Sequence, residues 1–139
     1  MREILFRGKT YSGKWIYGDL VQNTEDKEVL IISAVGTDKY RYKIVIPETV
    51  GQFTGLTDKN GKKIFEGDIL RPFDDEIVVV SWIDCYSTLG LRTYTTVTVK
   101  KRGKEISENF NGLASLWDYD LAKNEIIGNI HDNKELLGE

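Results

Sequence analysis

Val50-Gly51-Gln52-Phe53-Thr54-Gly55-Leu56-Thr57-Asp58-Lys59-Asn60-Gly61-Lys62-Lys63-Ile64-Phe65-Glu66-Gly67-Asp68-Ile69-Leu70 decides the fold class of this chain. Two short apolar runs, Phe53–Leu56 and Lys63–Phe65, flank the polar stretch Thr57–Lys62. Asn60-Gly61 lies inside it, and Asn-Gly is a strong hairpin signal because both residues tolerate the positive φ of a type I′ turn. Glu66-Gly67-Asp68 then redirects the chain into Ile69-Leu70. Glycine allows the bend, and aspartate can bond the amides beyond it. The stretch is dense in turn glycines and holds none of the spacings that catalysis or metal binding usually needs.

Strand signals continue on both sides. Glu3–Arg7 and Lys14–Val21, joined by a turn-rich loop at 8–13, predict a first hairpin. Glu28–Ala34 is a compact apolar run that follows the polar loop Gln22–Lys27. Tyr40–Ile46 has period two, which puts Tyr40, Tyr42, Ile44 and Ile46 on one face of a half-buried strand, with Arg41, Lys43 and Val45 on the other. Pro47 ends it, and Pro72 interrupts the segment after Ile69-Leu70, because proline cannot donate to a ladder. Glu76–Trp82 is Val-rich and predicts a central strand; Leu91–Lys100, alternating at Thr96-Val97-Thr98-Val99, predicts its antiparallel partner. Asn124–Ile130 is the last strand.

Helix is scarce. Asp132–Gly138 predicts a short C-terminal helix, with Asp132 as cap, Glu135 three residues on and Gly138 as terminator. Pro47–Val50 and Leu113–Trp117 are candidates for single helical turns. Regular strands with few helices predict a mainly β chain, a barrel or β-sandwich of antiparallel hairpins, in one domain spanning 1–139. Residues 13–21 echo residues 61–70: an aliphatic–aromatic pair, a Gly-Asp turn and an aliphatic pair, with Glu66 inserted in the second copy as a β-bulge would be.

Composition narrows the function classes. The 139 residues suffice for one core without staples. A net charge of −3 is unlike the basic excess usual in a nucleic-acid binder. The charge is uneven: residues 1–63 hold 11 basic and 8 acidic side chains, and residues 64–139 hold 8 and 14. The ordinary reading is that both halves simply carry solvated surface; opposite signs would also help subunits meet face to face. Cys85 is the single cysteine, so no internal disulfide forms. Three consecutive apolar residues at the N-terminus are too few for a signal peptide, and no run has membrane-helix length. The expectation is a soluble, cytoplasmic protein with no membrane partner.

Arg2–Lys9, Trp15-Ile16-Tyr17-Gly18, the whole of Pro47–Ile69, Val79-Val80-Ser81-Trp82 and Ile126–Leu137 together resemble the YopX family, in the right order over almost the whole chain. Lys134 stands where that family often has proline. The resemblance implies a bacteriophage or prophage protein with a compact, SH3-like β fold and an oligomeric habit. It implies no enzymatic activity.

The remaining candidates each have a structural counter-reading. His131-Asp132 is the one His–carboxylate neighbour pair; a single His without a Cys cluster cannot build the usual zinc site, and adjacent strand residues face opposite ways. Cys85 as a nucleophile needs a base, and His131 is the one histidine. Asp68, Asp74, Asp75 and Glu76 form an acidic cluster of the type that holds Mg²⁺ or hydrolyses glycosides, yet turn and loop roles account for them. Asp118 and Asp120 beside Trp117 and Tyr119 make an acidic–aromatic patch suited to a partner. Lys100, Lys101, Arg102 and Lys104 are the one basic run, set in a hairpin loop where they suit phosphates, with Tyr94 or Tyr86 for stacking. No phosphate loop or dinucleotide fingerprint is present, and no catalytic, cofactor or metal residue is assigned. The leading expectation is a non-enzymatic protein that binds another macromolecule and self-associates. The alternative is a nucleic-acid accessory protein using the 100–104 loop. The weakest is a metal-dependent hydrolase built from Asp68, Asp74 and His131.

Overall fold

The computed structural model describes residues 2–22, 25–35 and 39–138, with the backbone alone for residues 34, 35, 39, 40, 97–99, 101 and 106. Residues 23–24 of the polar loop, the side-chain alternation at 97–99 and the side chains of Tyr40 and Lys101 therefore lie outside the described set. The chain is mainly β and divides into two compact units, Met1–Gly55 and Leu56–Glu139.

The first unit contains β1 (Phe6–Lys9), β2 (Trp15–Gln22), β3 (Val29–Val35), β4 (Lys39–Val45) and most of β5 (Gly51–Thr57), in the order β4-β3-β2-β1-β5. All its pairings are antiparallel. β2 changes partner midway: Trp15–Gly18 pair with β1, and Asp19–Gln22 pair with β3. Gly18 makes the exchange possible, because a Cβ there would lie 2.0 Å from the Ile32 carbonyl oxygen. Pro47–Thr49 forms the expected helical turn, of 3-10 type, after β4.

The face assignment of β4 needs correction. Val45 is fully buried with Val29 and Ile31, whereas Tyr42 and Ile44 are exposed. Of the polar-looking face only Val45 turns into the core; Arg41 and Lys43 are exposed, as Tyr42 and Ile44 are. Cross-strand neighbours decide this, since Val45 lies opposite Val29 while Ile44 lies opposite Leu30.

The second unit holds β6 (Lys63–Phe65), β7 (Asp68–Phe73), β8 (Glu76–Ile83), β9 (Thr88–Lys101), β10 (Lys104–Ala114) and β11 (Ile126–Asn129). Five of these form an antiparallel sheet in the order β10-β9-β8-β7-β11. Neither strand order closes into a barrel. β8 is central, as expected, and is buried on both faces. Val78 and Val80 pack with Ile64, Leu70, Leu91 and Leu121, while Ile77 and Val79 pack with Ile69. That explains its unbroken valine run.

Four local expectations change. The 57–62 turn is not type I′, since Gly61 has φ +77 and Asn60 is absent from the positive-φ residues. Asp58 and Gly61 close a β-turn (Gly61 N–H to Asp58 O, 3.0 Å), and the Asp58 N–H bonds Lys62 O at 2.8 Å. This is the three-residue hairpin with its last residue left-handed. Pro72 does not end β7; it sits where the register with β8 shifts between Leu70 and Phe73, and such an irregularity accommodates a missing N–H. Lys104–Ala114 is a strand of eleven residues, so Leu113 and Ala114 of the expected helical turn Leu113–Trp117 are extended. The C-terminal helix reduces to one 3-10 turn, Lys134–Leu137, which lacks a side-chain cap. Asp132 instead accepts from Asn129 Nδ2, while Gly138, at φ +81, ends the turn as expected.

The two Gly-Asp segments behave differently. Gly18-Asp19 runs through β2, whereas Gly67 has φ +95 and Glu66-Gly67 forms the turn before β7. The Asp68 carboxylate is buried and accepts the Phe65 N–H at 2.7 Å, behind the turn rather than beyond it. Asp58 is the second buried carboxylate. Its Oδ1 accepts the N–H groups of Asn60 and Lys62, both at 2.9 Å, and its Oδ2 accepts that of Ile126 at 3.1 Å. Burial acts to raise its pKa, but these donors and the Lys62 charge outweigh it and hold the carboxyl below 3.8. Its stabilisation is therefore complete above the unfolded value and is lost as pH falls through the folded one. Replacing Asp58 with Ala should cost about 2 kcal/mol in denaturant unfolding at pH 7, and the gap to the parent protein should shrink as the titration is taken toward pH 3.

Candidate functional site

The described side chains offer four surfaces, one in the first unit and three in the second. In the first unit, the outer face of β2, β3 and β4 presents Val21, Leu30, Ile32, Tyr42 and Ile44 across matched registers. Tyr42 is 67% exposed. At the end of β1, the buried Arg7 guanidinium stacks 4.7 Å from the Trp15 ring centroid, so this cation is used within the fold.

In the second unit, an apolar cleft of about 430 Å³ opens where β9 outruns β10. β10 ends at Ala114, opposite Leu91, so Thr88–Gly90 pair only with β8 among the described strands. The cleft lies over that gap, between Tyr86, Leu89, Leu113 and Trp117, with Ile83 at its floor. Gly90 permits this floor to form, since a Cβ there would lie 2.9 Å from the Ile83 side chain and 3.0 Å from the Ala114 carbonyl oxygen. Trp117 is 85% exposed and Tyr86 72%. Asp118 borders the cleft, and its carboxylate accepts the Ser115 N–H at 2.7 Å, which shapes the loop that carries Trp117.

Tyr119 does not share the surface with Trp117. It packs against the Val78–Val80 core, and its hydroxyl donates to Glu76 Oε1, while Thr95 donates to Glu76 Oε2 at 2.8 Å. Burial first, then the bond to Glu76 and the charges of Glu76 and Asp118, push the Tyr119 phenol up to about 12.

A polar cleft of about 550 Å³ lies elsewhere in the unit and gathers Asp74, Asp75 and Glu76 with Arg71 and Glu135. Asp68 is buried apart from it, in its turn. Among the described residues, no three His, Cys, Asp or Glu side chains come together as a metal site, so Asp68, Asp74 and His131 are not assembled into one. The backbone N–H groups of His131 and Asp132 both donate to Asn129 Oδ1, at 3.0 Å. Cys85 is exposed.

The fourth surface is an arm. β8 pairs with β9 only as far as Glu76 opposite Thr95, with one further bond from Thr96 N–H to Asp75 O. Beyond it, residues 97–101 pair with 104–108 as a two-stranded ribbon, about 17 Å long at ordinary strand rise. Arg102 (φ +52) and Gly103 (φ +78) form a two-residue turn with both φ positive, the type I′ form. Lys100, Arg102 and Lys104 are exposed at this tip, and Lys101 contributes its backbone to β9. Glu105 lies opposite Lys100. The loop placement of the basic run was legible from its sequence. Leu113, Leu89 and the cleft were not, because they meet only through the unequal lengths of β9 and β10.

The chain matches the family model described as YopX protein over residues 5–138. No curated protein matches it significantly. No helix among the described residues is long and apolar enough to cross a membrane.

Tyr119→Phe should remove a phenol that ionises at about pH 12 in a spectroscopic titration at 295 nm. The same variant should lose about 1 kcal/mol of stability at neutral pH. A raised phenol stabilises the fold below the unfolded value near 10 and loses that contribution as pH climbs through the folded one.

Proposed function

The chain belongs to the YopX family, and from that premise we propose that it is a non-enzymatic binding protein whose apolar cleft takes one side chain of an extended partner segment. The observation that carries this reading is Trp117, 85% exposed on the rim of a cleft whose apolar side chains include Ile83, Tyr86, Leu89 and Leu113. An indole left in water contributes nothing to the fold, and Trp and Tyr dominate the energetics of interfaces. The volume suits a single large side chain with its neighbours. Asp118 on the lining and Asp84 beside Tyr86 favour a partner with a basic residue next to its apolar anchor. In this reading the protein is made by a phage or prophage and acts in the cytoplasm of a bacterial host, in keeping with its lone thiol. SH3-like kinship of the first unit belongs to the same reading; its support is the partner exchange of β2 and the isolated bridge between Thr10 and Val45.

A second reading rests on the arm. A two-stranded ribbon of this kind fits the major groove of DNA, and its tip carries exposed Lys100, Arg102 and Lys104. Duplex binding that weakens with salt and disappears in the Lys100→Ala/Lys101→Ala/Arg102→Ala variant would support it; no binding at low salt would remove it.

Selection of displayed random peptides against the purified protein tests the first reading. Enriched peptides should share an aromatic or aliphatic position beside Lys or Arg, and Leu113→Asp or Trp117→Ala should each weaken their binding by about tenfold or more, equivalent to roughly 1.4 kcal/mol. No enrichment, or equal binding by both variants, defeats it.

A further inference from the structure

β10 is the terminal strand of its sheet, and all eleven of its residues pair with β9 on one side. Its other side is a row of backbone donors and acceptors. Native edges are normally blunted by shortness, by proline or by charge. β10 contains no proline, and Asn109–Ala114 carries no charge.

Register fixes which groups stand in that row. The Thr96 N–H donates to Asp75 O, so even-numbered residues of β9 direct their backbone groups toward β8. Odd-numbered ones direct theirs toward β10. Thr95, Thr93 and Leu91 pair with Phe110, Gly112 and Ala114, and no shift interrupts the register from Lys104 to Ala114. These three residues of β10 therefore bond β9, and Asn109, Asn111 and Leu113 turn their N–H and C=O outward. The tip turn gives the same alternation, since the closing residues of a type I′ hairpin, Lys101 and Lys104, exchange both bonds.

Leu113 belongs to this row and to the apolar cleft at once. Its backbone faces the open edge, while its side chain lines the cleft and is 48% exposed. A segment bonded to the Leu113 backbone thus lies within one residue of the cleft. We infer, building on the cleft reading above, that the edge of β10 from Asn109 to Leu113 takes the partner's backbone as an added antiparallel strand. The sheet edge then holds the main chain of the segment while the cleft holds its apolar anchor. In an antiparallel pair one residue supplies both bonds, so partner residues facing Leu113, Asn111 and Asn109 each exchange two. Main-chain bonds of this kind give affinity, and the side chains give choice.

The side chains along the edge describe that partner. The antiparallel direction puts the anchor on the N-terminal side of the paired stretch. Counting from the residue that faces Leu113, the fourth faces Phe110 and the sixth faces Glu108. Phe110 is 53% exposed and favours an aromatic or β-branched neighbour. Glu108 is exposed at a site without exchanged bonds, where opposed side chains come closest. It favours Lys or Arg there and repels a carboxylate. The occupant is an extended segment with an apolar anchor, a β-prone stretch after it, and a basic residue at the far end.

The test uses the full-length chain in two stages. Hydrogen exchange read by NMR on the free protein tests the edge alone. The amides of Asn109, Asn111 and Leu113 should exchange fast, and those of Phe110, Gly112 and Ala114 slowly. Slow exchange at 109, 111 and 113 in the free chain overturns the inference, because the edge is then already covered. The second stage uses a peptide recovered in the display selection and resynthesised. Its binding should slow those three amides. Single N-methyl groups placed C-terminal to its anchor should weaken binding by at least about tenfold at every second residue and leave the residues between unaffected. Glu108→Lys should weaken a peptide that carries Lys at the sixth position, and exchanging that Lys for Glu should restore it. A peptide that binds, tolerates every N-methyl group and leaves the three amides fast overturns the inference while the cleft reading stands. So does a Glu108→Lys variant that binds the Lys peptide as tightly as the parent. A selection that enriches no peptide removes the cleft reading and the inference together.

Discussion

The second unit depends on a buried carboxylate. Asp58 is 5% exposed and accepts three backbone N–H groups, from Asn60, Lys62 and Ile126. Two of these close the hairpin between β5 and β6, and the third fixes the start of β11, 68 residues further along the chain. A charge in that position is expensive unless its lone pairs are filled, and here backbone amides fill them. Asp68 repeats the device one strand later, where its carboxylate holds the Phe65 N–H across the Gly67 turn. Gly67 in turn donates to Val80 and accepts from Ile130, so the corner is bonded to the strands on both sides. With both corners held, β7 and β8 can bury Ile69, Leu70 and the valine run on two faces.

The polar groups that looked most like chemistry are largely consumed by this framework. Asp68 is in its turn, Glu76 receives Tyr119 and Thr95, and the backbone at His131 and Asp132 is gathered by Asn129. What the second unit leaves outside is of another kind. It is a bare indole and phenol at an apolar cleft, a basic two-stranded arm and a long strand edge. These are features for contact, and all three arise from one geometrical fact: β9 and β10 are longer than β8 at one end and unequal to each other at the other. Their mismatch makes the arm at 97–108 and the gap at 88–90.

Much of the strand framework was legible because it is local. The hairpin at Asn60-Gly61, the central valine strand, the 3-10 turn after Ile46 and the loop at 100–104 each follow from a few adjacent residues. Even so, Asn60-Gly61 closes by a different turn from the one its dipeptide favours, because Asp58 captures the amides around it. β10 was invisible for a related reason. Lys104–Ala114 mixes charge, amides and glycine and has weak strand propensity of its own. Its conformation comes from pairing with β9, and an edge strand needs no apolar face to be held. Tyr42 and Ile44 misled in the opposite sense: they alternate as a core face would, yet Val45 is the buried residue, since its neighbour Val29 lies on the inner side.

By itself the sequence determined the family, the β class and the places where the chain turns, because backbone conformation at Gly, Asp, Asn and Pro is governed by bonds within a few residues. Only the tertiary structure decided which carboxylates are interior, which aromatics remain in water and which strand stands at the edge. Those properties depend on partners distant in sequence, such as Asp58 with Ile126 or Tyr119 with Glu76. Burial is a sum over neighbours that no single segment carries.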